Sequence, residues 1–231
     1  MILVMLSAPL TAQDADMGKL SDQLQSVVEA SAKRFPAEVR QTFADGIKSV
    51  KATGIERSAK QVGDIAPDAD LTGWNGENVK LSEAWKEGPV VLMWYRGGWC
   101  PYCNVQLREM QKRIADIEGA GAKLVVLTPE LPEKAKETAD ANDLTLTVLH
   151  DKDSHVAKQY GILFDLPKSI IPTYRDNLKL GSYNGNDKMQ LPLAATYVID
   201  RSGKITYAFL EADYTKRAEP DDVIAAVKKL Q

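Results

Sequence analysis

Residues 90–104 read VVLMWYRGGWCPYCN. The run from Val90 to Tyr95 is apolar without alternation, the pattern of a short strand buried on both faces. Gly97-Gly98 breaks it, and Pro101 fits the first position of a helix, where no amide donor is required. From Pro101 to Ile117 the apolar residues Val105, Leu107, Met110 and Ile114 keep a helical rhythm. The stretch therefore reads as buried strand, glycine turn and helix, with Cys100 in the N-cap region and Cys103 in the first turn.

The same alternation continues downstream. Strands are expected over 122–127 and 145–149, and helices over 133–142 and 154–160. Residues 196–199 and 205–210 form a hairpin around Ser202-Gly203, and a last helix from Pro220 to Leu230 turns Val223, Ile224 and Val227 inward. Alternating strands and helices imply an α/β domain with a mixed, mainly parallel sheet, helices on both faces and an antiparallel hairpin at one side. Upstream, Asn75-Gly76 signals a tight turn between short strands near 69–71 and 79–81. Ser82 is then expected to cap a short helix carrying Trp85. Residues 164–191 interrupt the rhythm and are too many for a structureless loop, which predicts a short helix near 172–178 lying over a functional edge as a candidate lid.

Leu24, Val27, Val28 and Ala32, then Val39, Phe43, Ile47 and Val50, recur at helical spacing on either side of Pro36. They predict a two-helix arm within residues 14–56, packed on a domain of residues 60–231, with a dimerisation arm and hence a homodimer as the alternative. Residues 1–13, MILVMLSAPLTAQ, resemble the apolar region and cleavage end of a secretory signal but lack its basic start. They are shorter than the ~20 apolar residues of a membrane span. As a signal they imply a periplasmic or secreted protein; otherwise the expectation is cytoplasmic.

The chain of 231 residues is 44% hydrophobic and 26% charged, the composition of an ordinary globular protein. Its net charge of -3, with lysines scattered among acids, offers no basic surface for nucleic acid.

Both cysteines of the chain lie in the opening stretch, so their purpose is local chemistry and not a disulfide framework. Free amides and the helix dipole favour an anion at a helix start. A thiol of ordinary pKa ~8.5 becomes a thiolate there more readily, the more so beside a cation such as Arg96. Trp99 and Tyr102 are placed to flank the sulfurs and limit water. A zinc site completed by His150 and His155 is a formal possibility, but the interval between the two pairs is far longer than a zinc finger's. Inert buried cysteines are common, though not as a pair at a helix start after Gly-Gly.

GDIAPDADL, VVLMWYRGGWCPYC and LPLAATYVIDRSGKI together resemble the alkyl hydroperoxide reductase and thiol-specific antioxidant group of peroxiredoxins. The resemblance is greatest to a peroxiredoxin-like branch with a CxxC motif. It covers roughly Lys60 to Gln231, and the arm and the closing DYTKRAEP are similar as well. It implies a thioredoxin-like fold. The family's Pro-x-x-x-Thr-x-x-Cys motif falls on Arg96, Cys100 and Cys103, so Cys103 matches the peroxidatic cysteine and Cys100 stands in place of threonine. Thioredoxins imply the reverse, with Cys100 as the more exposed nucleophile. The arginine that peroxiredoxins carry six residues before the strand-closing aspartate is replaced by Ala194, counted back from Asp200. Pro192, two residues upstream, is the nearest counterpart of the thioredoxin proline.

What the resemblance implies is a thiol peroxidase acting on hydrogen peroxide or small organic hydroperoxides without cofactor or metal. A sulfenic acid and then a Cys100–Cys103 disulfide would form, and thioredoxin or a similar dithiol would reduce it. With Ala194 in place of arginine, Arg96 or Arg217 is expected to supply the guanidinium; a solvated charge at a helix entry is the alternative for Arg217. A thiol–disulfide oxidoreductase acting on protein disulfides, and a non-enzymatic redox sensor or metal-binding module, remain open alternatives at this point.

Overall fold

The computed structural model describes residues 18–231; the apolar run at 1–13 lies outside the described residues. Two helices come first, α1 (Leu20–Arg34) and α2 (Ala37–Ala52), separated at Pro36, and a single turn α3 (Ile55–Ser58) follows. The strands β1 (Asp70–Gly73) and β2 (Asn78–Lys80) pair antiparallel across the Asn75-Gly76 turn. The helix α4 (Leu81–Glu87) is capped from outside itself. Ser82 lies within it and donates its amide to the Asp68 carboxylate at 2.7 Å. Asp68 thus takes the role expected of Ser82, because a carboxylate brought alongside the first turn satisfies its amides as well as a capping hydroxyl would.

Next come β3 (Val90–Trp94), α5 (Pro101–Lys112), α6 (Ile114–Gly119), β4 (Lys123–Thr128), α7 (Pro132–Ala141), β5 (Val148–His150) and α8 (His155–Gln159). The single helix expected over 101–117 is two, since the backbone leaves the helical region at Arg113 (φ -98°, ψ 8°). The strands β6 (Leu163–Asp165) and β7 (Gln190–Pro192) form a small antiparallel ribbon of their own. Between them lie a π-helical turn (Thr173–Asn177) and α9 (Leu180–Asn184). The chain closes with β8 (Thr196–Ile199), β9 (Ile205–Phe209) and α10 (Pro220–Lys228).

Among the described residues the main sheet has the order β2-β1-β5-β4-β3-β8-β9. Its centre, β5-β4-β3, is parallel, and antiparallel strands flank it on both sides. The unbroken apolar run of β3 follows from its central place. Val90, Leu92 and Trp94 enter one core, with α4 and α8, while Val91, Met93 and Tyr95 enter the other, with α1, α5, α6, α7 and α10. Strand periodicity of two assigns successive side chains to opposite faces, and both faces are covered by helices.

α1 is part of this packing. Leu20 and Leu24 are buried in the core that holds both cysteines. The first amides of α1, from Leu20 and Ser21, donate to the two carboxylate oxygens of Glu219, just ahead of α10, at 3.1 and 2.8 Å. A smaller third core joins Leu166, Ile170, Tyr174, Leu180 and Leu191 with Phe43 of α2 and Trp99. No described helix is long and apolar enough to cross a membrane.

Candidate active site

The cysteines lie beyond the carboxyl end of β3, where parallel strands deliver the loops that carry chemistry in α/β sheets. Gly97 has φ +151°, and a Cβ there would fall 2.2 Å from the Trp99 ring nitrogen. A Cβ on Gly98 would fall 2.1 Å from the Thr138 hydroxyl of α7. Neither position admits a side chain, which is why the turn is Gly-Gly. Cys100 is the N-cap of α5; the amides of Cys103 and Asn104 donate to its carbonyl at 3.0 and 3.1 Å. Asn104 returns its side-chain amide to the Gly98 carbonyl at 2.8 Å, which ties the first turn to the loop.

Beneath this loop is Glu130, just past β4 and with no solvent exposure. It accepts hydrogen bonds from the Gly98 amide (2.8 Å), the Tyr95 hydroxyl (2.9 Å) and the Thr138 hydroxyl (3.2 Å). Burial pushes the Glu130 carboxyl upward against those three donors. Glu130 was not among the sequence candidates, although its place just after a central parallel strand was a signal.

Two hydrogen-bond donors converge on Cys103. The Arg217 Nη2 lies 3.4 Å from its sulfur and the Arg96 backbone amide 3.5 Å. Arg217 reaches inward from the loop before α10 and is 5% exposed, not a solvated charge; its Nη1 donates to the carbonyls of Tyr214 and Lys216. Ala194 is buried ahead of β8, so the guanidinium enters from a different segment than the family pattern places it.

Arg96 is 2% exposed and stands among aromatic rings, its Cζ 4.5 Å from the Tyr214 centroid, 5.3 Å from Trp99 and 5.7 Å from Tyr174. Its Nη2 donates to the Tyr174 hydroxyl at 2.6 Å. Tyr174 belongs to the segment expected to lie over a functional edge, and it meets Trp99 edge to face at 5.4 Å. Tyr102 packs against Tyr214 at 5.6 Å. All six residues picked from the sequence, Arg96, Trp99, Cys100, Tyr102, Cys103 and Arg217, thus meet in one place. Tyr174 and Tyr214 complete it; Tyr214 lies in the DYTKRAEP segment, whereas Tyr174 had no motif to mark it.

The sulfurs differ in electrostatics. Burial opposes ionisation of Cys103, but the Cys100 thiol, the Arg217 guanidinium, and the amide and side chain of Arg96 outweigh it and hold the Cys103 thiol well below the ordinary range. Burial and the neighbouring Cys103 sulfur push Cys100 well above it. Cys100 is only 2% exposed and Cys103 not at all, so both sulfurs are enclosed. The aromatic and Arg96 side chains account for the enclosure. His150 ends β5 and His155 opens α8. Among the described residues no group of three or more His, Cys, Asp and Glu side chains is arranged to hold a metal ion, and two guanidiniums beside the sulfurs disfavour a divalent cation there.

Comparison with known proteins bears on the family and the fold. The profile described as AhpC/TSA family matches residues 62–208. Peroxiredoxin Bcp of Escherichia coli (strain K12) is 27% identical over 164 residues, which cover 71% of this chain and 92% of that protein. Chloroplastic Peroxiredoxin Q of Triticum aestivum is 26% identical over 179 residues, covering 78% of this chain and 70% of that one. Among solved structures, a peroxiredoxin-like protein from Aquifex aeolicus aligns with a TM-score of 0.59 at 22% identity, over 75% of this chain and 89% of that chain. Peroxidoxin BcpB from Mycobacterium tuberculosis aligns with a TM-score of 0.58 at 20% identity, over 74% and 98%. With the fold shared and the family profile spanning well over half of its length, the chain belongs to the AhpC/TSA family.

Proposed function

We propose that the protein is a thiol peroxidase in which Cys103 is the attacking thiolate and Cys100 the resolving thiol. The observation that carries this assignment is the convergence of the Arg217 guanidinium and the Arg96 amide on the Cys103 sulfur, while Cys100 has neither. The thiolate attacks one oxygen of the hydroperoxide in line with the O–O bond. The bond breaks, the attacked oxygen stays on sulfur as sulfenic acid, and the other leaves as alkoxide or hydroxide and takes up a proton. Arg217, beside the sulfur, stabilises charge developing on the departing oxygen, the type of contribution that dominates such steps. Cys100, held protonated, then displaces hydroxide from the sulfenic sulfur with its proton, giving a Cys100–Cys103 disulfide and water. An external thiol reductant restores the dithiol, and a thioredoxin-like protein is our candidate for it.

The test is mass spectrometry of Cys100→Ser and Cys103→Ser after brief hydrogen peroxide in the presence of a sulfenic-acid trap. A trapped adduct on Cys103 in Cys100→Ser, and none on Cys100 in Cys103→Ser, is the expected outcome. The reverse pattern overturns the assignment. Peroxide-dependent NADPH consumption coupled through thioredoxin and its reductase tests the electron donor.

A further inference from the structure

Both sulfurs are enclosed, yet a reductant has to approach a disulfide sulfur directly. One piece of the enclosure is the segment from Leu166 to Asn184, whose Tyr174 meets Arg96 and Trp99 beside the cysteines. Its core of Leu166, Ile170, Tyr174 and Leu180 is small and separate from the two large cores, the character of a unit that opens locally. Phe43 meets Tyr174 from the outer side at 6.3 Å. On the inner side two polar ties hold the segment: the Tyr174 hydroxyl accepts from Arg96, and the Tyr183 carbonyl accepts from the Leu131 amide at 2.7 Å, of which only the first touches a charge beside the sulfurs.

The charges around Cys103 have a consequence for this cover. Among the described residues, neither Arg96 nor Arg217 has a carboxylate within ion-pairing distance, and the Nε of each is buried without a partner. Glu130 is committed to Gly98, Tyr95 and Thr138. The Cys103 thiolate, in direct contact with Arg217, is therefore the anion left to balance the two buried guanidiniums. Oxidation removes it. Cys103–S⁻, Cys100–SH, ROOH and one proton become the disulfide, ROH and water, and two like charges are left buried with no counter-ion, an arrangement proteins do not sustain cheaply. The guanidiniums are not equally free to respond. Arg217 is held by two backbone carbonyls, whereas the Arg96 guanidinium has a single hydrogen-bond partner among the described residues, the Tyr174 hydroxyl.

We propose that Leu166–Asn184 is a redox-operated cap, closed by the Tyr174–Arg96 contact while Cys103 is a thiolate and released when the Cys100–Cys103 disulfide forms, so that the reductant gains access to the sulfurs. The cap rests on the cysteine roles proposed above, and α5 stays folded throughout because Cys100 is its N-cap and Cys103 lies in its first turn.

Amide hydrogen exchange of the full chain, read by mass spectrometry over residues 166–184, tests it. Three samples are compared: the reduced protein, the protein oxidised with diamide, and reduced Cys103→Ser, which replaces the thiolate by a neutral hydroxyl. The cap is expected to exchange at least ten-fold faster in the oxidised protein and in Cys103→Ser than in the reduced parent, with the peptide covering α5 beyond Cys103 unchanged. Arg96→Met, which removes the uncompensated charge, is expected to lose the difference between its reduced and oxidised forms. Equal exchange in all three samples overturns the cap. A fast-exchanging oxidised form beside a protected Cys103→Ser overturns the charge mechanism. Diamide forms the disulfide without peroxide, so absence of peroxidase activity, which would sink the proposed reaction, leaves these outcomes readable.

Discussion

Cys103 shows how position overrides a thiol's ordinary chemistry. With an unfolded pKa of about 8.5 and a folded value held well below the ordinary one, ionisation of this group favours the folded state above the unfolded pKa. That contribution is lost as pH falls through the folded value. The direction is set by Cys100, Arg217 and Arg96 winning against burial, so removing Arg217 should return part of the shift. In Cys100→Ser, where Cys103 is the sole thiol, the ultraviolet thiolate absorbance is expected to titrate below the ordinary pKa of about 8.5. Adding Arg217→Met should move that midpoint upward. In the otherwise unchanged protein, Arg217→Met should also slow oxidation of Cys103 by hydrogen peroxide at neutral pH by roughly 100-fold, the usual effect of losing one donor to developing oxyanion charge. An unmoved midpoint with an unchanged rate would remove Arg217 from the mechanism.

At the scale of elements, the site depends on how closely the Gly97-Gly98 loop approaches α7. Gly98→Ala sets a methyl 2.1 Å from the Thr138 hydroxyl and 3.1 Å from its Cβ, and overpacking of this kind costs about 1–3 kcal/mol. The urea midpoint of Gly98→Ala should fall accordingly. The double variant with Thr138→Ala should recover only part of the loss, because the Cβ contact remains while the hydroxyl clash is gone; strict additivity of the two changes would refute direct contact. The glycines, both cysteines and the strand–helix alternation were legible because each follows from a local rule: an apolar run, a turn that excludes side chains, a proline at a helix start. Tyr174 and Glu130 were not. Their roles come from packing between segments 78 and 32 residues away from their partners Arg96 and Gly98, and a tyrosine or glutamate in a loop carries no periodic mark of its partner. Ser82 was misread for the same reason, since the carboxylate of Asp68 arrives from fourteen residues upstream. The strands β6 and β7 are three residues each, too short to leave an alternation pattern.

For the whole molecule, the sequence left two readings of the N-terminal helices, an arm packed on the domain or an arm for dimerisation. Leu20 and Leu24 are 1% and 3% exposed and share a core with Met93, Leu107 and both cysteines, and Glu219 clamps the first turn of α1. A helix that gives its apolar stripe to the main core should melt with it. The chain supplies its own probes: Trp74, Trp85, Trp94 and Trp99 all lie outside the helical arm, so fluorescence follows the sheet and site, while far-ultraviolet circular dichroism also follows α1 and α2. The two signals are expected to trace one coincident urea transition. Leu24→Ala should lower the stability read by both by about 2–5 kcal/mol, the range for deleting a buried leucine side chain. A helical signal that is lost first, with the tryptophan transition unmoved by Leu24→Ala, would make α1 an independent arm. It would also separate the cysteine core from the helix that now closes over it.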